Sequence, residues 1–363
     1  MTLRSLSFSV LVSLAPMAPM ILAACDSNEV GTAKGFDDKQ VIVDFSDEVV
    51  VPTYERLAAK AVELEIAVSA LAAAPDAARL EAARTAWITT RAPWEQSEGF
   101  LFGPVDSFGI DPALDTWPLN QTDLDNVLAS DDALTPAYIG TLQNSQKGFH
   151  TMEYLLFGVN GSQTAATLDA RELEYLVAIA GDFVALTGRL AKSWTEGDTL
   201  LPTPYRDLFA TAGEAGNTAY PSLSSAAQEI VNGMIGICDE VANGKIAGPY
   251  DARDPQLEES PFSNNSLIDF QDNIRGVENA YLGRVPDAGT SGRGLSVWLA
   301  SEDAALDGQI KAQITASLAA IAAIPSPFSE AIATASAHPK IEAAQAAIRA
   351  LQSTLESKLL PLL

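Results

Sequence analysis

The sequence predicts an all-α protein built from two helical bundles. Three observations carry this. The chain is 47% hydrophobic and only 19% charged, so it can fill a sizeable core. Ala and Leu dominate, and long stretches lack proline and β-branched runs, which favours helix. Alternation of polar and apolar residues, the mark of a strand, persists nowhere. At 363 residues the chain is long for one domain and suits two. The expected organisation is a signal peptide over 1–24, a tether over 25–36, an N-terminal bundle over 37–199 and a C-terminal bundle over 200–363. The bundle junction is placed in "EGDTLLPTPYRDLF".

The first segment reads as a targeting signal. Arg4 is the only charge before Cys25, and "SLSFSVLVSLAPMAPMILAA" is apolar with small residues at its end. Pro16 and Pro19 interrupt it, so it reads as a cleaved signal rather than a spanning helix. Its last four residues, Leu22, Ala23, Ala24 and Cys25, resemble a bacterial lipobox. That implies cleavage before Cys25, a lipid on its sulfur and an anchor in the cell envelope. Asp26 resembles an inner-membrane retention signal of enteric bacteria, a rule that varies between bacteria, so the membrane is left open. "DSNEVGTAKGFDDK" then reads as a short polar tether.

Helices follow in order. One runs through "DKQVIVDFSDEVVVPTYERLAAKAVELEIAVSALAAAPD", with the stripe Val43, Val50, Tyr54, Leu57 and Val62 and a break or kink at Pro52. The next spans about 76–102, capped by Asp76 and kinked at Pro93. A long loop, "GPVDSFGIDPALDTWPLNQTDLDN", separates it from a helix over about 135–157. Loops of that length in compact domains often carry function. Another helix covers about 169–195. The second half holds helices near 219–244, 265–283, 294–323 and 328–360, with one more long polar loop, "AGPYDARDPQLEESPFSNNS".

The formal charge is −25. A surface that acidic disfavours nucleic acid as a partner, because that affinity needs Lys and Arg on the phosphates, and it attracts cations. Beyond Cys25 only Cys238 remains, so no intrachain disulfide is expected in the mature chain. Cys238 lies in an apolar stretch and reads as a small buried hydrophobe.

Polar residues interrupt two apolar stripes. In the second helix the stripe Leu80, Ala83, Trp87, Trp94, Leu101 also contains Arg91 and Glu98. In the third, Leu142, Gln146, Phe149 and Leu156 share a stripe with Glu153, and His150 precedes Glu153 by three residues on the same face. A carboxylate on an apolar face must be paired, protonated or bound to a cation. The plain alternative is a buried Arg91–Glu98 ion pair. A further pattern, Glu-x4-Gly, recurs at Glu98–Gly103, Glu153–Gly158 and Glu278–Gly283. It places each Glu about a turn before a Gly-capped helix end, either by ordinary capping or because these ends converge on one pocket.

"GFHTMEYLLFG" resembles the GxHxxE signature of the imelysin family, also called peptidase M75. "TAWITTRAPWEQSEGFLFGPVD", "IDPALDTWPLN" and "ESPFSNNSLIDFQDNIRGVENAYLG" resemble other segments of that family, and the likeness spans about 37–360. It implies two helical bundles arisen by duplication, with the site near their interface. It implies a part in iron uptake, with a metal ion or iron complex as ligand and envelope iron-transport proteins as partners. It carries the motif onto Gly148, His150 and Glu153, and brings a peptidase label.

The residues support a metal better than a peptidase. A catalytic zinc takes three protein ligands, commonly two or three of them His, in frames such as HExxH or HxxEH. Here the frame reads His150-Thr-Met-Glu153-Tyr154 with no second histidine, and His338, in "ASAHPK", reads as an exposed loop residue. If a peptidase exists, Glu153 is its base or ligand. One His with several carboxylates suits iron, with zinc and calcium as alternatives. His150 and Glu153 are the expected ligands, joined by Glu98, Glu95 or Asp106. Arg91, Gly148, Asp115 and Glu278 are expected to support them. A third reading is a non-enzymatic module for haem or a partner protein, with Trp87, Trp94 and Trp117 lining the pocket.

Overall fold

The computed structural model describes residues 35–363. The expected signal segment, Cys25 and all of the expected tether but its last two residues lie outside the described residues. Among those described, eight helices of ten residues or more set the architecture: α1 (Val51–Ala73), α2 (Ala77–Glu95), α3 (Gly148–Phe157), α4 (Ala170–Thr195), α5 (Leu223–Asp239), α6 (Ser266–Leu282), α7 (Ala304–Ala322) and α8 (His338–Thr354). The only strand pairing among the described residues is a two-residue antiparallel ladder, Arg284–Val285 with Thr290–Ser291.

Helices α1 to α4 pack on one another, and so do α5 to α8. Residue 200, where a bundle boundary is expected, lies in the connection between α4 and α5. The two groups meet where α6 crosses α2 and where α5 backs onto the short turn Glu98–Phe100, and residues Gly35–Leu363 cluster as one unit. Two glycines permit this seam. A Cβ on Gly276 of α6 would lie 2.4 Å from the Gln96 carbonyl oxygen, and one on Gly233 of α5 would lie 2.1 Å from that of Gly99. Any side chain there would push the halves apart.

Local sequence explains where the helices start and stop. Asp76 caps α2 by accepting from the Arg79 amide at 2.8 Å, as its position predicts. Asp169 and Glu172 form a reciprocal capping box on α4. Two expected helices are shorter than the sequence suggested. α2 ends at Glu95 and not near 102, two residues beyond Pro93, which has no amide hydrogen to give. The expected helix over 135–157 is broken: Pro136–Ile139 forms one turn, Asn144–Gln146 another, and α3 begins only at Gly148. Lys147 is extended and Gly148 has φ +77°. The stripe of the first helix also shifts. Val50, Tyr54 and Leu57 are buried, but Val62 is 42% exposed. Five residues past Leu57, it lies about 140° round the helix, and Ala61 and Leu64 take the core side instead.

The core is aromatic around α2 and α3. Trp87, Trp94, Phe100 and Phe149 are fully buried, and Phe149 meets Phe183 edge-on at 4.6 Å. Cys238 is buried and unpaired, as expected. His338, expected in an exposed loop, instead opens α8 half-buried, with its Nε2 3.0 Å from the Ile332 carbonyl oxygen. No helix among the described residues is long and apolar enough to cross a membrane.

Candidate functional site

Gly148 sets the position of the motif helix. A Cβ there would stand 2.2 Å from the Leu114 carbonyl oxygen, and φ +77° strains any other residue. Without a side chain, the start of α3 lies directly on the end of the short helix Ile110–Asp115. That contact brings His150, on the first turn of α3, to Asp115: His150 Nε2 is 3.0 Å from Asp115 Oδ1. The glycine of the GxHxxE pattern thus serves a close backbone approach that aims the histidine.

Arg91 is the hub. Its side chain is buried, lies 4.7 Å over the Phe149 ring, and meets four carboxylates. It pairs with Glu95, donates from Nη1 to Asp115 Oδ1 at 2.6 Å, from Nη2 to Glu259 Oε1 at 3.1 Å and from Nε to Asp269 Oδ1 at 3.4 Å. Its expected partner, Glu98, belongs to Lys245 instead, at 2.6 Å. Lys245 Nζ also lies 3.3 Å from Glu95 Oε2 and 3.4 Å from Glu259 Oε1. Asn273 of α6 ties the same pair, donating to Glu95 Oε2 and Glu98 Oε2 at 2.7 Å each.

Glu153 sits behind the histidine. Its Oε1 accepts from the Phe262 amide at 3.1 Å, the Ser263 amide at 2.8 Å and the Ser263 hydroxyl at 2.7 Å, while Oε2 lies 3.3 Å from His150 Nδ1. It therefore orients the imidazole from the far side. The other ring nitrogen, Nε2, is buried and makes no well-formed hydrogen bond. Asp115 Oδ1 is within ion-pair distance of it but off the line a hydrogen bond needs, and Glu259 Oε1 is 3.9 Å away.

One face of this cluster is open. A cavity of about 360 Å³ is lined by Glu98, Asp111, Asp115, Trp117, Lys245 and Glu259 among others. Trp117 also packs on His150, ring centroids 4.9 Å apart. Trp87 and Trp94 are not in the lining. They are core, and Trp94 Nε1 donates to Asp115 Oδ2 at 2.6 Å.

The electrostatics follow from burial and imbalance. Six carboxylates (Glu95, Glu98, Asp115, Glu153, Glu259, Asp269) face two permanent cations, Arg91 and Lys245. Burial pushes the Asp269 carboxyl up to about 8 even beside Arg91, and pushes Glu98 well above its usual range, with Glu95 adding to it. For Asp115 burial acts the same way, yet Arg91 and then His150 outweigh it and hold the carboxylate ionised. Burial alone would lower His150; the Asp115 carboxylate overrides it and lifts the imidazole to about 10. The cluster carries more negative charge than its own cations match, and protons take up the rest.

Several of the expected site residues converge here: His150, Glu153, Glu98, Glu95, Asp115 and Arg91, with Gly148 holding the helix. Two do not. Asp106 is exposed in the turn Pro104–Ser107 and does not line the cavity. Glu278 faces a different pocket, with Gln96, Asp272 and Arg275. The Glu-x4-Gly pattern is therefore not one device. Gly283 ends α6 in a left-handed conformation, Gly158 has positive φ with an extended ψ of 169°, and Gly103 opens a new turn after α2 has already stopped. Sequence reasoning did not single out Lys245, Glu259, Asp269 or Asn273. Glu259, Asp269 and Asn273 lie in or next to "ESPFSNNSLIDFQDNIRG", where acidic and amide residues crowd a helix start; Lys245 left no local signal.

Two groups of donors have ligand atoms within 4.8 Å of one another: Asp115, His150 and Glu259, and Glu95, Glu98 and Asp115. The first fits a metal ion by its chemistry, one imidazole nitrogen without a well-formed hydrogen bond and two carboxylates, a set suited to borderline or hard cations. It does not fit a zinc peptidase frame, since one histidine is present and Glu153 Oε1 is fully engaged.

The fold and this cluster define an all-helical protein with a buried acid-histidine centre at the seam of two helix groups, with a small acidic cavity against its Asp115 and Glu259. The chain belongs to the imelysin family: the family's sequence profile (Peptidase_M75, Imelysin) matches residues 50–355. It is 36% identical over 332 residues to iron-regulated protein A of Synechococcus elongatus, covering 92% of this chain and 88% of the relative. Among solved structures it is similar to an iron-regulated protein A precursor from Parabacteroides distasonis, with TM-score 0.81, 28% identity, and 90% and 95% of the two chains covered. An imelysin-like protein from Psychrobacter arcticum, at 15% identity, TM-score 0.71 and 90% and 97% coverage, shares the fold.

Proposed function

We propose that the chain is an envelope lipoprotein, anchored through Cys25 and facing the periplasm, that binds a metal ion, iron in the first instance, through Asp115, His150 and Glu259. The observation that carries this is His150 Nε2: buried, without a well-formed hydrogen bond, and set 3.0 Å from Asp115 Oδ1 and 3.9 Å from Glu259 Oε1. A metal ion that displaces the imidazole proton would take this nitrogen and both carboxylates at once. Glu153, holding Nδ1, supports the same reading, because ligating histidines are oriented through their second nitrogen. The unbalanced carboxylates favour a cation over an anion or a neutral peptide. The likeness to iron-regulated protein A favours iron among the cations such donors accept, and "LAAC" at Leu22–Cys25 supports the lipid anchor.

The chemistry of the site is then binding rather than hydrolysis. Asp115 and Glu259 supply charge, His150 supplies selectivity for borderline metals over calcium, and Arg91 fixes both carboxylates. Anaerobic calorimetric titration with Fe(II) tests this. Binding that is lost in both His150→Ala and Glu259→Gln supports it; heat unchanged in both variants overturns it.

A further inference from the structure

We propose that Lys245 is a tethered cation that fills the place a second metal ion would take, and so holds the centre to a single ion. This rests on the reading of the site above and goes beyond it.

The two donor groups share Asp115 but differ in what they already hold. Around His150, the imidazole Nε2 is buried without a well-formed hydrogen bond, and the Arg91 guanidinium donates to Asp115 Oδ1 and Glu259 Oε1. Around Glu95 and Glu98, an ammonium is already present, with Lys245 Nζ 2.6 Å from Glu98 Oε2 and 3.3 Å from Glu95 Oε2. It also reaches Glu259 Oε1 at 3.4 Å, so it touches both groups. An ammonium is a compact point charge with three donors on a flexible stem, which makes it the side chain best able to stand in for a hard cation among carboxylates.

The carboxylate pair has a second anchor besides the lysine. Asn273 Nδ2 donates to both Glu95 and Glu98 at 2.7 Å, and its Oδ1 is buried with no partner, a further hard oxygen on the same amide. Lys245 arrives from the opposite element, as the last residue of the π-helical segment Glu240–Lys245 that continues α5. It lines the cavity beside Asp111 and Glu259. Removing its charge leaves an oriented acidic pair next to an open space. A merely structural lysine predicts lost stability and nothing else; a tethered cation predicts that a metal ion takes its place.

Equilibrium dialysis against Mn(II), with elemental analysis and thermal unfolding of the same samples, separates the two. The intact protein should hold one ion per chain, Lys245→Met should hold two, and Lys245→Arg should stay at one. Mn(II) should also raise the unfolding temperature of Lys245→Met more than that of the intact protein. Lys245→Gln, closer in polarity, repeats the test. Folded Lys245→Met and Lys245→Gln that bind no more metal than the intact protein overturn the proposal, as does a failure of both to fold even with Mn(II) present. If the intact protein binds none, the reading of His150 fails separately; uptake of one ion by Lys245→Met would still support the lysine's role, and uptake of none would end it.

Discussion

Glu153 and Ser263 join the motif helix to the loop before α6: Glu153 Oε1 accepts from both the amide and the hydroxyl of Ser263, at 2.8 and 2.7 Å. With the Phe262 amide as third donor, this oxygen is full, and the carboxylate's other oxygen is turned to His150 Nδ1. Glu153 is thereby a positioning residue. Glu153→Gln should keep the fold and weaken Fe(II) binding by about 10–100-fold, the usual cost of losing an orienting partner. Ser263→Ala, which leaves both backbone donors, should cost less. Calorimetry on the two variants checks the order; an unchanged affinity in Glu153→Gln contradicts it.

Gly148→Ala should be destabilising by about 1–3 kcal/mol, because the new Cβ meets the Leu114 carbonyl and φ stays positive. That corresponds to a fall in Tm of roughly 1–2 °C for each kcal/mol in a chain of this length. The same shift moves His150 off Asp115, so metal affinity should fall with stability. Denaturant unfolding and metal titration of one sample read both.

Arg91→Met should be far more damaging than a surface change. The arginine is buried among four carboxylates, and removing one side of a buried pair typically costs about 3–5 kcal/mol. Arg91→Lys should rescue only part of this, since an ammonium lacks the planar fork that serves Glu95, Asp115, Glu259 and Asp269 at once. Urea midpoints of the three proteins test the ranking.

Cys238 should be inert in the native state. Burial pushes its thiol up to about 12, so almost no thiolate exists at neutral pH. In a Cys25→Ser background, Ellman's reagent should react slowly until the chain is unfolded in guanidinium, then titrate one thiol. Fast native reaction would contradict the burial.

Much of this was legible in the sequence because it rests on local rules. The helices follow composition and periodicity, Asp76 announces its cap, and Arg91, Glu98 and Glu153 stood out as charges on apolar stripes. Distances between segments were not legible. Nothing near Lys245 says that it meets Glu98, 147 residues away, and nothing near Glu259 says that it meets Arg91. Arg91 and Glu98 share a stripe, yet α2 ends between them, and their partners come from other elements. The role of Glu153 also depended on the fold, since its engaged oxygen is filled by backbone amides at 262 and 263. Gly148 was readable as part of a motif, but its purpose needed the Leu114 carbonyl beside it.

The most direct test of the central claim is Fe(II) bound per chain by the intact protein and by His150→Ala, measured by elemental analysis after anaerobic dialysis without chelator. The account predicts one iron per chain in the intact protein and a loss of at least about tenfold in affinity without the imidazole. Equal iron in the two proteins, or none in either, would contradict it.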